Sequence, residues 1–311
     1  MSPVVVGVTA KSFAKSQKLR LQAQKRFPDH RFRYAIDEPI DVEDSKALKS
    51  FLKPCDVWLV GRERVSSELI SSLPKLKLIT KYGVGIDNID FDACEHKQIK
   101  VHAAKGVNSQ EVAEHTIGLM LSIGRNIALS DRNYHSGIWL KDGGLNLSGS
   151  TVGVIGFGHV GQKVARLCRA FGCEVLINDI IDFSSSPLVE GLEVTALSEL
   201  LKRSRFVSLH VPLTDKTRAM IGTDELELIG PQGFLINTSR GMVVDEKCLL
   251  DCLRSGALKG AALDVFVDEP NINQELSQLD KFVATAHIAG NSSEAVAKMG
   301  AAALDGISTI S

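Results

Sequence analysis

The stretch Thr151-Val-Gly-Val-Ile-Gly-Phe-Gly-His-Val-Gly161 decides the fold of this chain. An apolar, β-branched run leads directly into glycines at positions 156, 158 and 161, and a helical pattern follows. The first glycine allows a tight turn from strand to helix, the second lets the backbone approach a phosphate, and the third lets the helix pack against the strand. Free N–H groups at the start of such a helix attract anions. The stretch therefore predicts a strand, a turn and a helix that bind the pyrophosphate of a dinucleotide.

A carboxylate follows the next predicted strand, Glu174–Asn178. At the end of that strand, Asp179 can accept hydrogen bonds from the ribose hydroxyls of adenosine, and it would repel a 2′-phosphate. We therefore predict that the cofactor is NAD rather than NADP. The residues of the glycine-rich loop that we expect to bind the cofactor are Gly156, Phe157, Gly158, His159, Val160 and Gly161.

Strand and helix patterns alternate on both sides of this motif, which is typical of parallel sheets. Before the motif, strands are predicted at Val4–Val8, Val57–Val60, Leu76–Thr80 and Ile99–His102. From residue 151 onward, strands are predicted at Val152–Ile155, Glu174–Asn178, Phe206–Val211, Phe234–Asn237, Ala261–Asp264 and Phe282–Ala286. The second set, with helices or turns between its strands, fits a doubly wound sheet.

Two capping-box patterns predict where long helices begin. Asn108-Ser-Gln-Glu111 precedes apolar residues at helical spacing, so a long and mostly buried helix is expected there. Asn291-Ser-Ser-Glu294 precedes a last helix with one apolar face. The glycine-rich segment Tyr134–Gly149 contains Trp139 and has no clear periodicity, so it is predicted to be an extended connection.

Length and composition exclude several classes of protein. A chain of 311 residues suggests about two domains, at roughly 150 residues each. The 36 Lys and Arg side chains against 37 Asp and Glu give a net charge of −1, so neither nucleic acid nor an anionic membrane is expected as a partner. The sequence shows no signal peptide and no apolar run of about 18 residues, so a cytoplasmic location is expected. The six cysteines form no Cys-x-x-Cys pair and lack nearby histidines, so we predict reduced thiols and no metal site.

Three polar side chains, Arg240, Glu269 and His287, each follow one of the last three predicted strands. Ligands of open α/β sheets bind beyond the carboxyl ends of the strands. Moving a hydride to or from C2 of a hydroxy or keto acid requires a cation for the carboxylate and an acid or base for the hydroxyl proton. An arginine, a histidine and a carboxylate meet these needs, although each alone also has an ordinary structural explanation.

Taken together with the glycine motif, these segments resemble the D-isomer-specific 2-hydroxyacid dehydrogenase family, to which phosphoglycerate dehydrogenases and glyoxylate reductases belong. The motifs occur in family order between residues 83 and 290. They are Gly83-Val-Gly-Ile-Asp-Asn-Ile-Asp90, Val112-Ala-Glu-His115, Gly156-Phe-Gly-His-Val-Gly161, Leu209-His-Val-Pro-Leu213, Ile236-Asn-Thr-Ser-Arg-Gly241, Ala262-Leu-Asp-Val-Phe266 and His287-Ile-Ala-Gly290.

The resemblance implies an NAD-dependent enzyme that transfers a hydride at C2 of a small D-2-hydroxy or 2-keto acid. It implies a catalytic set of Arg240, Glu269 and His287. It places Thr238 and Asp264 near the nicotinamide, and His210, Val211 and Pro212 near the adenine side. Backbone N–H groups of the turn formed by Gly83, Val84 and Gly85 would face the substrate carboxylate.

The resemblance also implies a discontinuous α/β architecture. A Rossmann-type doubly wound parallel nucleotide-binding domain, residues 105–287, would be inserted into a smaller flavodoxin-like α/β substrate domain formed by residues 1–104 and 288–311. Two positions depart from the family near the expected domain crossings: Ala103-Ala-Lys-Gly106 replaces a common Asn-Thr-Pro-Gly, and Ala286 stands where proline often precedes the histidine. The helix from Asn108 and the segment Tyr134–Gly149 resemble the region through which family members pair, so a homodimer is expected.

Three interpretations of the function stay open at this point. Lys81 stands in the motif position of a cation that phosphoglycerate dehydrogenases use near the substrate phosphate, and Arg62 and Arg64 follow a predicted strand, so 3-phosphoglycerate or phosphohydroxypyruvate is the leading substrate. The alternatives are a glyoxylate or hydroxypyruvate reductase, and a non-enzymatic binding protein that responds to NAD(H), as corepressors of this superfamily do.

Overall fold

The first of two structural units is built on a five-stranded parallel sheet. The computed structural model describes residues 3–38 and 40–310, and this unit comprises Met1–Asn108 and Ser292–Ser311; Met1, Ser2, Pro39 and Ser311 of the predicted first domain lie outside the described residues. Its strands are β1 (Val5–Val8), β2 (Arg31–Tyr34), β3 (Val57–Val60), β4 (Leu78–Lys81) and β5 (Lys100–His102). Its first helices are α1 (Lys11–Lys15), α2 (Gln17–Arg26), α3 (Ser45–Leu52), α4 (Ser67–Ser71) and α5 (Phe91–His96).

The strand order β2-β1-β3-β4-β5 is the flavodoxin-like order, as predicted. Alternate residues of β3 enter two different cores, since Val57 and Leu59 pack on one face of the sheet and Trp58 and Val60 on the other. Helices cover both faces, which explains why the central strands are nearly continuous runs of apolar residues. Strand β2 is not predicted from the sequence, because this edge strand, Arg-Phe-Arg-Tyr, alternates cations with aromatic residues and is only half-buried.

The second unit, Ser109–Asn291, contains a seven-stranded parallel sheet. Its strands are β6 (Thr151–Ile155), β7 (Glu174–Asn178), β8 (Glu193–Val194), β9 (Phe206–Leu209), β10 (Phe234–Asn237), β11 (Gly260–Leu263) and β12 (Phe282–Ala284). Its helices are α6 (Ser109–Gly124), α7 (Ile127–His135), α8 (His159–Ala170), α9 (Leu197–Arg203), α10 (Thr223–Ile229), α11 (Glu246–Ser255) and α12 (Gln274–Ser277). The last helix, α13 (Ser293–Ile307), belongs to the first unit.

The order β12-β11-β10-β9-β6-β7-β8 is that of a doubly wound sheet, so the predicted fold class is confirmed. All strand pairs are parallel, and their carboxyl ends therefore meet at one edge. The predicted strands Phe206–Val211 and Phe282–Ala286 are each two residues too long, because the chain leaves the ladder at His210 and at Thr285. Sequence analysis misses β8, whose two residues are exposed and carry no periodicity.

The two units meet after Asn108 and after Asn291. Both boundaries lie four residues after the predicted ones, which follow residues 104 and 287. Val107 still packs against the core of the first unit, and the Asn108 amide contacts Met299 of α13. At the second crossing, the N–H groups of Ile288 and Ala289 bind a carboxylate of the second unit. The assignment of the units to substrate and NAD stays a prediction.

Helix starts follow the predicted caps closely. Helix α6 begins at Ser109, directly after the predicted cap. The cap of α13 is Ser292 rather than Asn291, because the Ser292 hydroxyl accepts the N–H of Ala295 while the amide of Asn291 donates to the carbonyl of His287. Within the described ranges, none of the helices is both long and apolar enough to cross a membrane. All six cysteines are free thiols; five of them are buried, and Cys248 is partly exposed.

Candidate active site

The parallel sheet of the second unit collects the three proposed catalytic side chains at one edge. Arg240 follows β10, Glu269 lies in the segment between β11 and β12, and His287 follows β12. These strands are neighbours in the sheet, in the order β12-β11-β10. The glycine-rich loop follows β6 at the same edge. This edge is where ligands of doubly wound sheets bind.

His287 and Glu269 form a hydrogen-bonded pair. Nδ1 of His287 lies 2.8 and 3.1 Å from the two carboxylate oxygens of Glu269. The side chain of Glu269 is 15% exposed and that of His287 is 35% exposed. Because a carboxylate only accepts hydrogen bonds, Nδ1 carries the proton and Nε2 is left to exchange a proton with another group. Glu269 also accepts the N–H of Phe266, which fixes the carboxylate to the backbone of the segment after β11.

The backbone around His287 is held by a buried carboxylate. Asp264 has no exposed surface, and its oxygens accept the N–H groups of Ile288 and Ala289, each at 2.9 Å. The Thr285 hydroxyl donates to the same carboxylate at 2.5 Å, and the N–H of His287 donates to the Asp264 carbonyl at 2.8 Å. His287 itself has φ +53°, a conformation that costs a residue with a side chain free energy and persists only where the surroundings impose it.

Arg240 is placed by a second buried polar residue, Asn237 at the end of β10. The Asn237 amide donates to the carbonyl of Arg240 at 2.9 Å. Its oxygen accepts both the N–H and the hydroxyl of Ser239. One guanidinium nitrogen of Arg240 also donates to the Ser239 carbonyl. The turn that carries the arginine is therefore closed on itself by hydrogen bonds to one asparagine.

The glycine-rich loop fits a dinucleotide. Gly156 has φ +91°, and a Cβ at this position would approach the His210 carbonyl to 2.6 Å. A Cβ at Gly161 would overlap the carbonyl oxygen of Gly156, so only glycine permits this contact between loop and helix. A Cβ at Gly158 would meet no atom within 4 Å, and Gly158 caps α8 without a side chain. The start of α8 is thus open to an anion such as a pyrophosphate.

The side chain of Phe157 is buried, unlike those of its neighbours His159 and Val160 in the glycine-rich loop. Phe157 is buried in the core against Phe183, and its N–H donates to the carboxylate of Asp179 at 2.6 Å. Asp179 lies directly after β7, as predicted, and its other oxygen accepts the N–H of Ile181. Phe157 therefore supports the loop from within, whereas His159 is exposed and Val160 half-buried at the start of α8. Cofactor contacts of these residues stay predictions.

The segment after β9 is predicted to face the adenine side. Here Val211 packs partly against the core and Pro212 is exposed. Nε2 of His210 lies 2.9 Å from the Ser208 hydroxyl. Burial lowers the pKa of His210 to about 3, so this imidazole is neutral at neutral pH. A neutral ring contributes hydrogen bonding without a charge at this end of the sheet.

In the first unit, Lys81 is predicted to lie near the substrate, and that role stays a prediction. It is 6% exposed, and its ammonium donates to the Gly61 carbonyl and to Asn88 Oδ1. The Asn88 amide in turn donates to the carbonyl of Glu63. These oxygen acceptors hold the charged end of Lys81 inside the unit. The adjacent turn is open: Gly83 has φ +108°, and a Cβ there would meet only the Lys81 side chain, at 4.0 Å.

Two polar residues of helix α6 support the site in roles that the sequence does not predict. Nε2 of His115 lies 2.9 Å from the Thr285 hydroxyl, and the Thr116 hydroxyl lies 2.9 Å from that of Thr238. Thr116 donates to the Val112 carbonyl, so Thr238 is the donor of the second contact. Polar residues in a mostly apolar helix are the signal that could have found them. Among the described residues, no three His, Cys, Asp or Glu side chains are grouped to hold a metal ion.

The model of the NAD binding domain of D-isomer specific 2-hydroxyacid dehydrogenases matches residues 117–289. The chain belongs to this family. The glyoxylate reductase of Thermococcus litoralis is 39% identical over 242 residues, which cover 75% of this chain and 73% of that protein. The family and the NAD-dependent oxidoreductase class predicted from the sequence are thereby confirmed.

Two other relatives in this family carry different names. The D-3-phosphoglycerate dehydrogenase of Methanocaldococcus jannaschii is 39% identical over 248 residues, covering 78% of this chain and 47% of that protein. The structure of D-lactate dehydrogenase from Aquifex aeolicus complexed with NAD and lactic acid has a TM-score of 0.84 at 28% identity and covers 98% of this chain and 95% of that one. The family is therefore established, while the substrate is not.

The depressed pKa of His210 predicts a loss of stability in mild acid. Unfolding returns the imidazole to its ordinary pKa of 6.5, so the unfolded chain binds a proton that the folded chain does not between pH 6.5 and about 3. The free energy of unfolding should fall by about 1 to 2 kcal/mol between pH 6.5 and pH 5 from this group. Urea titrations at both pH values should show a smaller fall in His210→Gln. An equal fall in both proteins would contradict the burial of a neutral ring.

Proposed function

We propose that the enzyme interconverts a small, unphosphorylated 2-keto acid, of the size of glyoxylate or hydroxypyruvate, and the corresponding D-2-hydroxy acid. The observation that carries this proposal is the pair of Nδ1 of His287 with both oxygens of Glu269 at the carboxyl edge of an NAD-binding sheet. The pair holds one imidazole tautomer and leaves Nε2 to serve the substrate oxygen. An imidazole can both donate and accept a proton, which suits both directions of the reaction.

In the proposed mechanism, Arg240 binds the substrate carboxylate through paired N–H donors. His287 donates the Nε2 proton to the oxygen on C2 during reduction and removes it during oxidation. Glu269 holds the ring in place and stabilises its charged form. When bound, NADH supplies the hydride, and NAD accepts it in the reverse direction. In the first unit, backbone N–H groups at Gly83, Val84 and Gly85 are proposed to bind the substrate carboxylate as well.

For the cofactor, we propose that Asp179 favours NAD over NADP. Its carboxylate is fixed next to the glycine-rich loop by the N–H groups of Phe157 and Ile181. A carboxylate in this fixed position would repel a 2′-phosphate on the adenosine ribose and accept hydrogen bonds from free hydroxyls. The residues that follow, Ile180 and Ile181, are exposed and apolar, so they offer no cation for that phosphate.

The state of Lys81 supports an unphosphorylated substrate. A lysine that binds a substrate phosphate needs donors that can reach the ligand, but this ammonium is buried and binds the Gly61 carbonyl and Asn88 Oδ1. Withdrawing it from these acceptors would break two hydrogen bonds from a charged donor, each of which contributes about 1.5–3 kcal/mol. The 39% identity to a glyoxylate reductase over most of both chains agrees with this choice.

Phosphohydroxypyruvate is the second candidate substrate, because Arg62 and Arg64 lie exposed after β3 and a similar relative is a D-3-phosphoglycerate dehydrogenase. A panel of glyoxylate, hydroxypyruvate, phosphohydroxypyruvate and pyruvate, each with NADH and NADPH, decides between them. We expect the highest kcat/KM for glyoxylate or hydroxypyruvate with NADH. A tenfold advantage of phosphohydroxypyruvate that disappears in an Arg62→Ala, Arg64→Ala variant would favour the second candidate. Equal rates with NADPH would contradict the role of Asp179.

We further propose that the enzyme is an isologous homodimer that pairs through α7 and the segment after it. Helix α7 has no buried residue, and Tyr134, Ile138 and Trp139 are exposed by 66%, 54% and 82%. Exposed aromatic and apolar side chains at this density, on a helix and the segment that follows it, are typical of a surface that another subunit covers.

Light scattering on the purified protein tests the dimer. The wild type should have twice the mass of the chain, and Trp139→Lys should shift it toward the monomer because a charge would be buried in the contact. Leu21→Lys is the matched control, since Leu21 is exposed by 71% and lies in the first unit, outside the proposed contact. A monomeric wild type, or a dimer that Trp139→Lys leaves unchanged, would contradict the proposed surface.

A further inference from the structure

A histidine of helix α6 reaches the segment that carries the proposed acid and base. His115 lies on the helix that packs against the sheet, and its Nε2 is 2.9 Å from the hydroxyl of Thr285. The same nitrogen is 3.5 Å from Oδ1 of Asp264. Thr285 is two residues before His287, and its carbonyl accepts the His287 N–H. His115 therefore contacts the segment that carries His287 through the side chain of Thr285.

The donors and acceptors in this chain of contacts have only one consistent direction. The carboxylate of Asp264 accepts hydrogen bonds, so the single hydroxyl proton of Thr285 points to it across 2.5 Å. The oxygen of Thr285 must then accept from His115, and Nε2 of His115 carries a proton. The result is a relay of two hydrogen bonds, from the His115 ring to Thr285 and from Thr285 to Asp264.

The end of this relay sets the position of His287. Asp264 binds the N–H groups of Ile288 and Ala289 and, through its carbonyl, that of His287. These three bonds hold the backbone of residues 287–289 in place and so maintain the left-handed conformation of His287. A buried carboxylate needs a full set of fixed donors, because an incomplete set leaves charge desolvated and the network free to rearrange. Thr285 completes the set, and His115 fixes the rotation of its hydroxyl.

We propose that His115 is a positioning residue of the reaction, acting through Thr285 and Asp264 on the place of the His287 ring. The inference rests on the proposed role of His287 as the proton donor. Without the donor on His115, the Thr285 hydroxyl can rotate to a second orientation. The turn then loses one of the two side chains, His115 and Asp264, that hold Thr285. Proton transfer then suffers while substrate binding, which depends on the separate turn held by Asn237, is spared.

Steady-state kinetics of matched variants test this relay. Thr285→Val removes the hydroxyl donor and His115→Leu removes the ring donor, each at nearly constant volume. Thr285→Ser and His115→Gln each restore a donor. We expect kcat to fall about tenfold in the first pair, with the KM for the keto acid and the Kd for NADH within twofold of wild type, and to recover in the second pair. Glu114→Gln is the control, because Glu114 is exposed on the same helix and accepts a hydrogen bond from the Gln110 amide.

A double variant and ring spectra complete the test. If His115 acts through Thr285, the His115→Leu, Thr285→Val enzyme loses no more kcat than either single variant, because the two effects share one path. In ¹H–¹⁵N spectra of the histidine rings, His287 should shift in Thr285→Val and return in Thr285→Ser, a readout that needs no turnover.

The outcomes separate the relay from the proposed function. Multiplicative losses in the double variant, unchanged kcat in both single variants, or an unmoved His287 ring would each overturn the relay while an active wild type upholds the function. A wild type that reduces none of the keto acids while its His287 ring still responds to Thr285→Val would overturn the function and keep the relay as a structural element.

Discussion

Asp264 buries a negative charge at the end of β11 and offsets its desolvation with donors from the segment after β12. Since β11 and β12 are parallel neighbours, their ends meet at one edge, and a carboxylate on one can bind successive N–H groups on the other. This interaction imposes the left-handed conformation of His287. The orientation of the ring then follows from Glu269, whose own place is fixed by the Phe266 N–H.

The same arrangement recurs one strand away. Asn237 at the end of β10 organises the turn of Arg240 through its amide, much as Asp264 organises the turn of His287 through its carboxylate. In both cases a fully buried polar residue at a strand end holds a more exposed functional side chain by bonds to the backbone. Adjacent residues of α6, His115 and Thr116, each contact one of the two turns through a threonine. The helix that closes the core thus also supports both halves of the proposed site.

Much of this architecture could be predicted from local patterns. Backbone contacts require the glycines at 156 and 161, and burial on both faces favours the β-branched runs, so strands, loop and strand-end residues are found from the sequence. Strand β2 could not be found, because cations mask its aromatic residues. The relay from His115 depends on a contact across 170 positions of chain, which periodicity does not contain. The burial of Lys81 could not be predicted for the same reason, since only the fold places Gly61 and Asn88 around its ammonium.

The central claim is that the His287 ring, held by Glu269 and by the Asp264 turn, transfers the proton of the reaction. The most direct test measures two properties of His287→Ala. One is its turnover with the best keto acid, and the other is its affinity for NADH, which is read from the fluorescence of the bound dinucleotide. The account predicts that turnover falls about 100- to 10,000-fold, the usual contribution of a general acid, while the Kd for NADH stays within about twofold of wild type. Turnover near that of the wild type would contradict it.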